Sequence, residues 1–316
     1  AEIAMHKGCA ENNYSTVQHA FKAIASTLSI VSEQGKEGIK IDGSFHQHHA
    51  QIYSGGYGMS LTDDVSKFME MSVDTQFANE FTLEKKEIFQ KLLLEGHLLL
   101  SFRNSIDFGT RGRNISRPTS EYTTVPVDVL ERAVVGDPAN AGIYRAWINH
   151  INSGTDFPKA NVNKHFWKSD MTIHRCPTWM ASVRMASDRV IGTESGTDNV
   201  KGYYLADGAL YTYVDGDEYT DIFPCWDWRK VPGVTCYQED KAVHVMGWLE
   251  KQNKGSFVGN VNDGVIGLTS MDLVRDGLYA RKTWIFTPDY ILCLGAGIRS
   301  DSSYQVNTSV EQAVLR

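Results

Sequence analysis

The sequence predicts an α+β multidomain protein: a helical portion over residues 1–155, then an antiparallel β-sandwich over residues 160–316. Two observations carry this. Up to about residue 155, apolar residues recur at three- and four-residue spacing, the period of a helix with one buried face. After residue 160 they fall into short runs rich in β-branched and aromatic side chains, separated by Gly, Asp and Asn, as in strands joined by turns. The length of 316 residues corresponds to about two domains at roughly 150 residues each.

The first helix is expected over Tyr14 to Ser32, where Val17, Ala20, Phe21, Ile24, Leu28 and Val31 share a face. Others are expected over Ser60 to Ser72, Leu83 to Phe102, Val127 to Val135 and Ala141 to Ile151. Strands are expected over Met171 to His174, Trp179 to Met185, Tyr203 to Leu205, Ala209 to Val214, Val243 to Trp248, Gly264 to Met271, Tyr279 to Phe286 and Tyr290 to Leu294.

Composition narrows the function. A net charge of −7 argues against a protein that grips nucleic acid through a global positive field. It leaves room for an anionic ligand, since screening confines a local arginine cluster to roughly 10 Å. No apolar run of about 18 residues or more exists, so no membrane-spanning helix is expected. The opening Ala1-Glu2-Ile3 is no signal peptide, and with no initiator Met it reads as a mature or trimmed chain. The five cysteines (Cys9, Cys176, Cys225, Cys236 and Cys293) show no CxxC spacing, so no zinc knuckle is expected.

Two long polar loops interrupt the helices, Asp42 to Gly58 and Asp107 to Thr119. Loops of such length are usually functional or disordered, and the aromatic residues of the first argue against disorder. The first loop holds His46, His48, His49, Tyr53 and Tyr57 among glycines. Histidine and tyrosine suit acid/base work, because a tyrosine held by cations can carry a proton. A metal site on His46, His48 and His49 is the minority reading, since no carboxylate sits at ligand spacing. An ordinary turn with surface histidines is the bland one. The second loop holds Arg111, Arg113 and Arg117, permanently charged forks suited to carboxylates and sulfates. A solvated basic loop fits it as well. Glu194 to Asn199, on its own, reads as a turn.

Taken in order, these stretches resemble polysaccharide lyase family 8, the chondroitin AC, hyaluronate and xanthan lyases. Asp42-Gly43-Ser44-Phe45-x-Gln47-His48 with Tyr57-Gly58 is similar to the family's histidine–tyrosine loop. Gly112-Arg113-x-x-Ser116-Arg117-Pro118 resembles its arginine loop, and Glu194-Ser195-Gly196 before Asn199-Val200-Lys201-Gly202 resembles the segment with its active-site glutamate. Trp226-Asp227-Trp228, Pro232-Gly233-Val234-Thr235 and Lys282-Thr283-Trp284 extend the likeness over nearly the whole chain.

The resemblance implies the end of an (α/α) helical toroid followed by the sandwich, with upstream helices and downstream β domains of the same enzyme as partners. It implies an exported (secreted or periplasmic) lyase splitting an acidic polysaccharide such as chondroitin sulfate or hyaluronan. A non-catalytic carbohydrate-binding relative is the alternative. By that likeness Tyr57 is base and acid, and His48 and Arg113 assist it. Glu194 orients them, and Asn13, with Asn12 next, neutralises the uronate carboxylate. Arg117, Arg111 and Asn199 bind substrate. The chemistry requires no metal or cofactor. Some members carry a structural calcium near the Trp-acid-Trp segment. Here Asp227 is kept, but Arg229 stands where a second carboxylate would help, which argues against the ion.

Overall fold

A computed structural model describes every residue except 118–123, 156, 158, 197, 248, 249, 315 and 316. The chain opens with α1 (Glu2–Ala10), which packs on α2 (Tyr14–Thr27). Asn13 starts α2 by accepting the Thr16 N–H on its side-chain oxygen, a helix N-cap. A two-stranded ribbon follows, β1 (Gly38–Ile39) against β2 (Phe45–His46), then α3 (Met59–Ser72) and α4 (Leu83–Gln90). A second small ribbon, β3 (Ser101–Phe102) with β4 (Ser105–Ile106), precedes α5 (Val127–Gly136) and α6 (Ala141–Ser153). Gly154, at φ +62°, ends α6 in the left-handed conformation that glycine adopts without strain. The apolar faces of these helices form one core around Phe21, Phe68, Leu92, Leu130 and Trp147.

Two four-stranded antiparallel sheets follow. One is β5 (Val162–Phe166), β6 (Met171–Arg175), β7 (Met180–Arg184) and β8 (Ala209–Tyr213), in that spatial order. After β9 (Thr235–Tyr237) comes the other: β10 (Val258–Asn262), β11 (Gly267–Arg275), β12 (Leu278–Phe286) and β13 (Ile291–Ser300). The last strand, β14 (Val306–Thr308), pairs with β9. Burial alternates along β12, with Leu278, Ala280, Lys282, Trp284 and Phe286 inward, the period of a strand with one core face. These side chains meet Ala181, Val183 and Leu210 of the first sheet, making the sandwich core. Thr172 and Thr269 bridge the sheets through their hydroxyls at 2.8 Å.

The predicted order of helices and then an antiparallel sandwich is the observed one. Several elements differ from expectation. The helix expected over Leu83 to Phe102 keeps α geometry only to Gln90, then widens into a π turn over Lys91–His97. Gly96 lies there against the Gly43 carbonyl, an approach that a Cβ would block. The strand expected at Tyr203 to Leu205 is a single 3-10 turn, Gly202–Tyr204. Tyr203, Tyr204 and Leu205 are all buried, which strict strand alternation over one core face does not allow. The described part of Val243 to Trp248 is not a strand; its Met246 N–H donates to Ser195 Oγ at 2.7 Å, and Trp248 lies outside the described residues. The loop from Asp107 contains two short turns, Phe108–Thr110 and Gly112–Ser116. Helix α1, the two small ribbons β1–β2 and β3–β4, and strands β5, β9, β10 and β14 are additions.

The helical portion and the sandwich are joined by buried polar bonds. Tyr213 Oη donates to Asp107 Oδ2 at 3.1 Å, and Ser182 Oγ bonds the same oxygen. Asp42 Oδ2 accepts the Lys168 N–H at 2.8 Å, and His46 Nε2 meets Ser169 Oγ at 2.8 Å. The Ile191 N–H donates to the Ala50 carbonyl at 2.9 Å. This seam brings the Gly- and His-rich loop against the segment that carries Glu194.

Candidate active site

From β2 the chain enters two consecutive left-handed residues, His48 at φ +55° and His49 at φ +65°. A β-carbon makes this conformation costly, by roughly 1–2 kcal/mol per residue, and such strain clusters at functional sites. The Glu37 carboxylate meets the pair: Oε1 accepts the N–H of His48 at 2.8 Å and of His49 at 3.3 Å, and Oε2 accepts Gln47 Nε2 at 2.6 Å. The next turn is a π turn over Ser54–Gly58, closed by the Gly58 N–H on the Tyr53 carbonyl at 3.0 Å. Isolated π turns of this kind are frequent at functional sites. This one sets the Tyr53 and Tyr57 rings edge to face, 5.2 Å apart. The His48 ring lies 5.5 Å from the first and 5.3 Å from the second.

Glu194 is the hub. Its side chain is 1% exposed, and its carboxylate meets His48 Nδ1 at 2.9 Å, Tyr53 Oη at 2.8 Å and Arg113 Nη1 at 3.0 Å. A buried carboxylate is tolerable when it is paired and fully hydrogen-bonded in this way. The Glu194 N–H donates to Gln51 Oε1 at 2.9 Å, and its carbonyl accepts Asn199 Nδ2 at 3.2 Å, so the backbone is held too. Burial and the bond to Glu194 push the Tyr53 hydroxyl far above the usual phenol range. Tyr53 therefore stays protonated.

Arg113 reaches the same point from the other loop. Its N–H donates to Tyr53 Oη at 2.9 Å, and Nη2 lies 3.5 Å from Tyr57 Oη. Gly112, at φ +54°, permits this: a Cβ there would lie 2.1 Å from Tyr53 Cζ. Asp198 closes the open side, pairing with Arg117 Nη2 at 2.7 Å and lying 3.5 Å from Arg113 Nε. Tyr57 itself is 37% exposed, so its hydroxyl end can meet a ligand while its ring is fixed by His48 and Tyr53.

Comparison with known proteins follows the same division. Residues 1–152 match the polysaccharide lyase family 8 N-terminal alpha-helical domain, and residues 161–316 match that family's super-sandwich domain. The chain belongs to polysaccharide lyase family 8. It is 33% identical over 295 residues to Chondroitinase-AC of Pedobacter heparinus, covering 89% of this chain and 40% of that protein. A Hyaluronate lyase of Thermasporomyces composti is 25% identical over 319 residues, covering 88% of this chain and 40% of its own length. A solved chondroitinase AC lyase superimposes with a TM-score of 0.91 at 30% identity, over 99% of this chain and 46% of that one. The family 8 chain thus spans under half the length of these relatives.

Of the residues the family 8 likeness singles out, the fold brings Tyr57, His48, Arg113 and Glu194 together, with Arg117 tied in through Asp198. The fold places the four others as follows. Asn13 is exposed, and its side chain caps α2 by accepting the Thr16 N–H. Asn12 is exposed in the left-handed turn between α1 and α2. Arg111 is 0% exposed; its guanidinium lies 3.9 Å from the Phe108 ring centroid and donates to the Ile106 carbonyl and Ser105 Oγ, so it supports the loop from beneath. Asn199 is buried with its amide on the Glu194 and Thr193 segment.

Among the described residues, His46, His48 and His49 do not come together as one ligand set. His46 is buried on Ser169, while His48 turns to Glu194. At the Trp-acid-Trp segment, near which the likeness would place a calcium, the carboxylates are paired within the chain. Asp227 Oδ2 pairs with Lys230 at 2.8 Å, Asp227 Oδ1 accepts the Arg229 N–H at 3.0 Å, and Glu239 pairs with Arg229 at 3.3 Å. Cations of the chain itself occupy the carboxylates. Glu37 was not singled out by the sequence; Tyr53 was named in the acid/base loop and Asp198 lies in the Glu194 to Asn199 stretch, but neither was given a role of its own.

Proposed function

We propose that this chain carries the catalytic centre of a polysaccharide lyase that splits an acidic, uronate-containing polysaccharide by β-elimination. The observation that carries the reading is Tyr57: its hydroxyl faces Arg113 at 3.5 Å, and its ring abuts a His48 fixed by Glu194. The names of the relatives support a glycosaminoglycan such as chondroitin sulfate or hyaluronan as the polymer.

The uronate C5 proton is weakly acidic, so the carbanion that forms must be stabilised as an enolate by positive charge and hydrogen bonds at the carboxylate. Tyr57, facing Arg113, acts as the base and removes the C5 proton. Electrons left on C5 form the C4–C5 double bond as the C4–oxygen bond breaks. The new Tyr57 hydroxyl returns its proton to the departing glycosidic oxygen. His48 gives Nδ1–H to Glu194, which turns its Nε2 edge toward the substrate carboxylate. Arg117 supplies charge at the open side. Polymers of this size are met outside the cytoplasm, so the reading carries export with it.

The test is ultraviolet absorbance of the conjugated product during incubation with chondroitin sulfate, hyaluronan and xanthan. A rise that Tyr57→Phe abolishes is the expected result. Binding of polymer without any rise would favour a non-catalytic carbohydrate-binding relative.

A further inference from the structure

We infer that Glu37 is a positioning residue for His48, acting through the backbone and not on substrate; this rests on the reading of His48 as part of the elimination centre. His48 and His49 are consecutive, non-glycine and left-handed, a conformation the chain does not keep unless something holds it. Successive N–H groups in such a turn point to one side and form a concavity for an anion. Glu37 Oε1 fills that concavity, 2.8 Å from His48 N and 3.3 Å from His49 N. Its other oxygen takes Gln47 Nε2 at 2.6 Å, so both oxygens are engaged by the chain's own donors.

Glu37 can reach the turn because the ribbon brings it there. Gly38, at φ +111°, pairs with His46 across the β1–β2 ladder, which sets the residue before Gly38 opposite the chain leaving β2. His48 is then held by two carboxylates with separate tasks. Glu194 fixes the ring through Nδ1, and Glu37 fixes the main chain from which the ring projects. Without Glu37 the pair relaxes toward ordinary backbone angles, and the His48 side chain swings away from Tyr57 and Glu194. Charge-assisted bonds to N–H groups are the strong kind, so a carboxylate suits this task better than a neutral acceptor.

The experiment compares the parent chain with Glu37→Ala, Glu37→Gln and the double variant Glu37→Ala/His49→Gly. The expected result is a kcat lower by about ten- to hundredfold for Glu37→Ala, as for a group displaced by an ångström or so. KM should stay within about twofold, because binding is not the lost step. Glu37→Gln restores part of kcat, since its amide oxygen still accepts. His49→Gly restores activity to Glu37→Ala, because glycine takes positive φ without strain. The second readout needs no turnover: nuclear Overhauser contacts between the His48 and Tyr57 rings should vanish in Glu37→Ala and return in the double variant. Unchanged kcat in Glu37→Ala, or ring contacts that persist in it, overturns the inference. A loss that follows only the melting temperature and is not rescued by His49→Gly also overturns it. A parent that makes no unsaturated product, yet shows Glu37-dependent ring contacts, overturns the lyase reading and leaves the positioning of His48 standing.

Discussion

Tyr53 donates its hydroxyl proton to Glu194 Oε1 across 2.8 Å, and this bond ties the helical portion to the sandwich inside the site. Tyr53 caps the π turn that carries Tyr57, yet their surroundings divide them. Tyr53 is fully buried and held protonated, while Tyr57 reaches the surface beside Arg113. Tyr53→Phe should therefore leave a measurable kcat, whereas Tyr57→Phe should leave none. Removing the Tyr53 hydroxyl strands the Arg113 N–H, at about 1–3 kcal/mol, and takes one of several donors from Glu194 Oε1. Urea unfolding and product absorbance of the two variants side by side check this. Equal abolition of activity by both would remove the distinction.

Asp198 holds the two arginines at the open side of the site. It pairs with Arg117 at 2.7 Å and lies 3.5 Å from Arg113, so an incoming carboxylate or sulfate competes with it for the same guanidinium groups. Asp198→Asn should lower KM for an acidic polymer and steepen its rise with salt, with kcat little changed, since removing a competing anion acts on binding. Arg117→Ala should do the reverse and raise KM. Initial rates at low and high ionic strength measure both. A higher KM for Asp198→Asn would show instead that Asp198 holds Arg117 ready for substrate.

How much of this was legible depended on distance along the chain. The helical and strand periods gave the order of the two portions, because each burial pattern is local. His48, Tyr57, Arg113, Arg117 and Glu194 could be named from short motifs, and the fold sets them near one another. Glu37 and Tyr53 act through partners 11 and 141 residues away, which no local pattern records. Arg111 and Arg113 look alike in sequence, but one points under the loop onto Phe108 and the other into the site. Asn13 stands directly before the helix that opens at Tyr14, and a cap and a ligand-binding asparagine are the same letter. The π turns at Ser54–Gly58 and Lys91–His97 were hidden because a single extra residue in a turn barely alters a hydrophobic period.

Stability should fall in acid through buried histidines. His97 is fully buried beside Thr62 Oγ1 at 2.9 Å, and burial lowers its pKa from 6.5 to about 4. His46 is lowered by burial to about 3. Between about pH 6.5 and 4 the unfolded chain binds the His97 proton and the folded chain does not. The unfolded state therefore gains as pH falls, by about 3 kcal/mol from His97 once pH passes below about 4. Above pH 6.5 this contribution to stability is complete. His97→Gln should flatten the slope of unfolding free energy by roughly 1.4 kcal/mol per pH unit inside that window. Urea titrations at several pH values read the slope. The same slope in parent and variant would place the acid sensitivity elsewhere.

Strand β13 forms an edge of its sheet and exposes both faces along nearly its whole length. Leu292 and Leu294 project on the same face, and Leu294 is 48% exposed. An edge of this length presents unpaired N–H and C=O groups, with no proline within it and Arg299 near its end as its lone charge. Such an edge is a template for a further strand, so the chain by itself should self-associate there. Leu294→Lys puts a charge on the exposed face without touching the inward Trp284 and Phe286 of β12, which form the core. Sedimentation at increasing concentration should show the parent shifting to larger species and Leu294→Lys remaining monomeric, with the same far-ultraviolet spectrum. Identical sedimentation of the two would show that the edge is protected by its own twist, or that association uses another face.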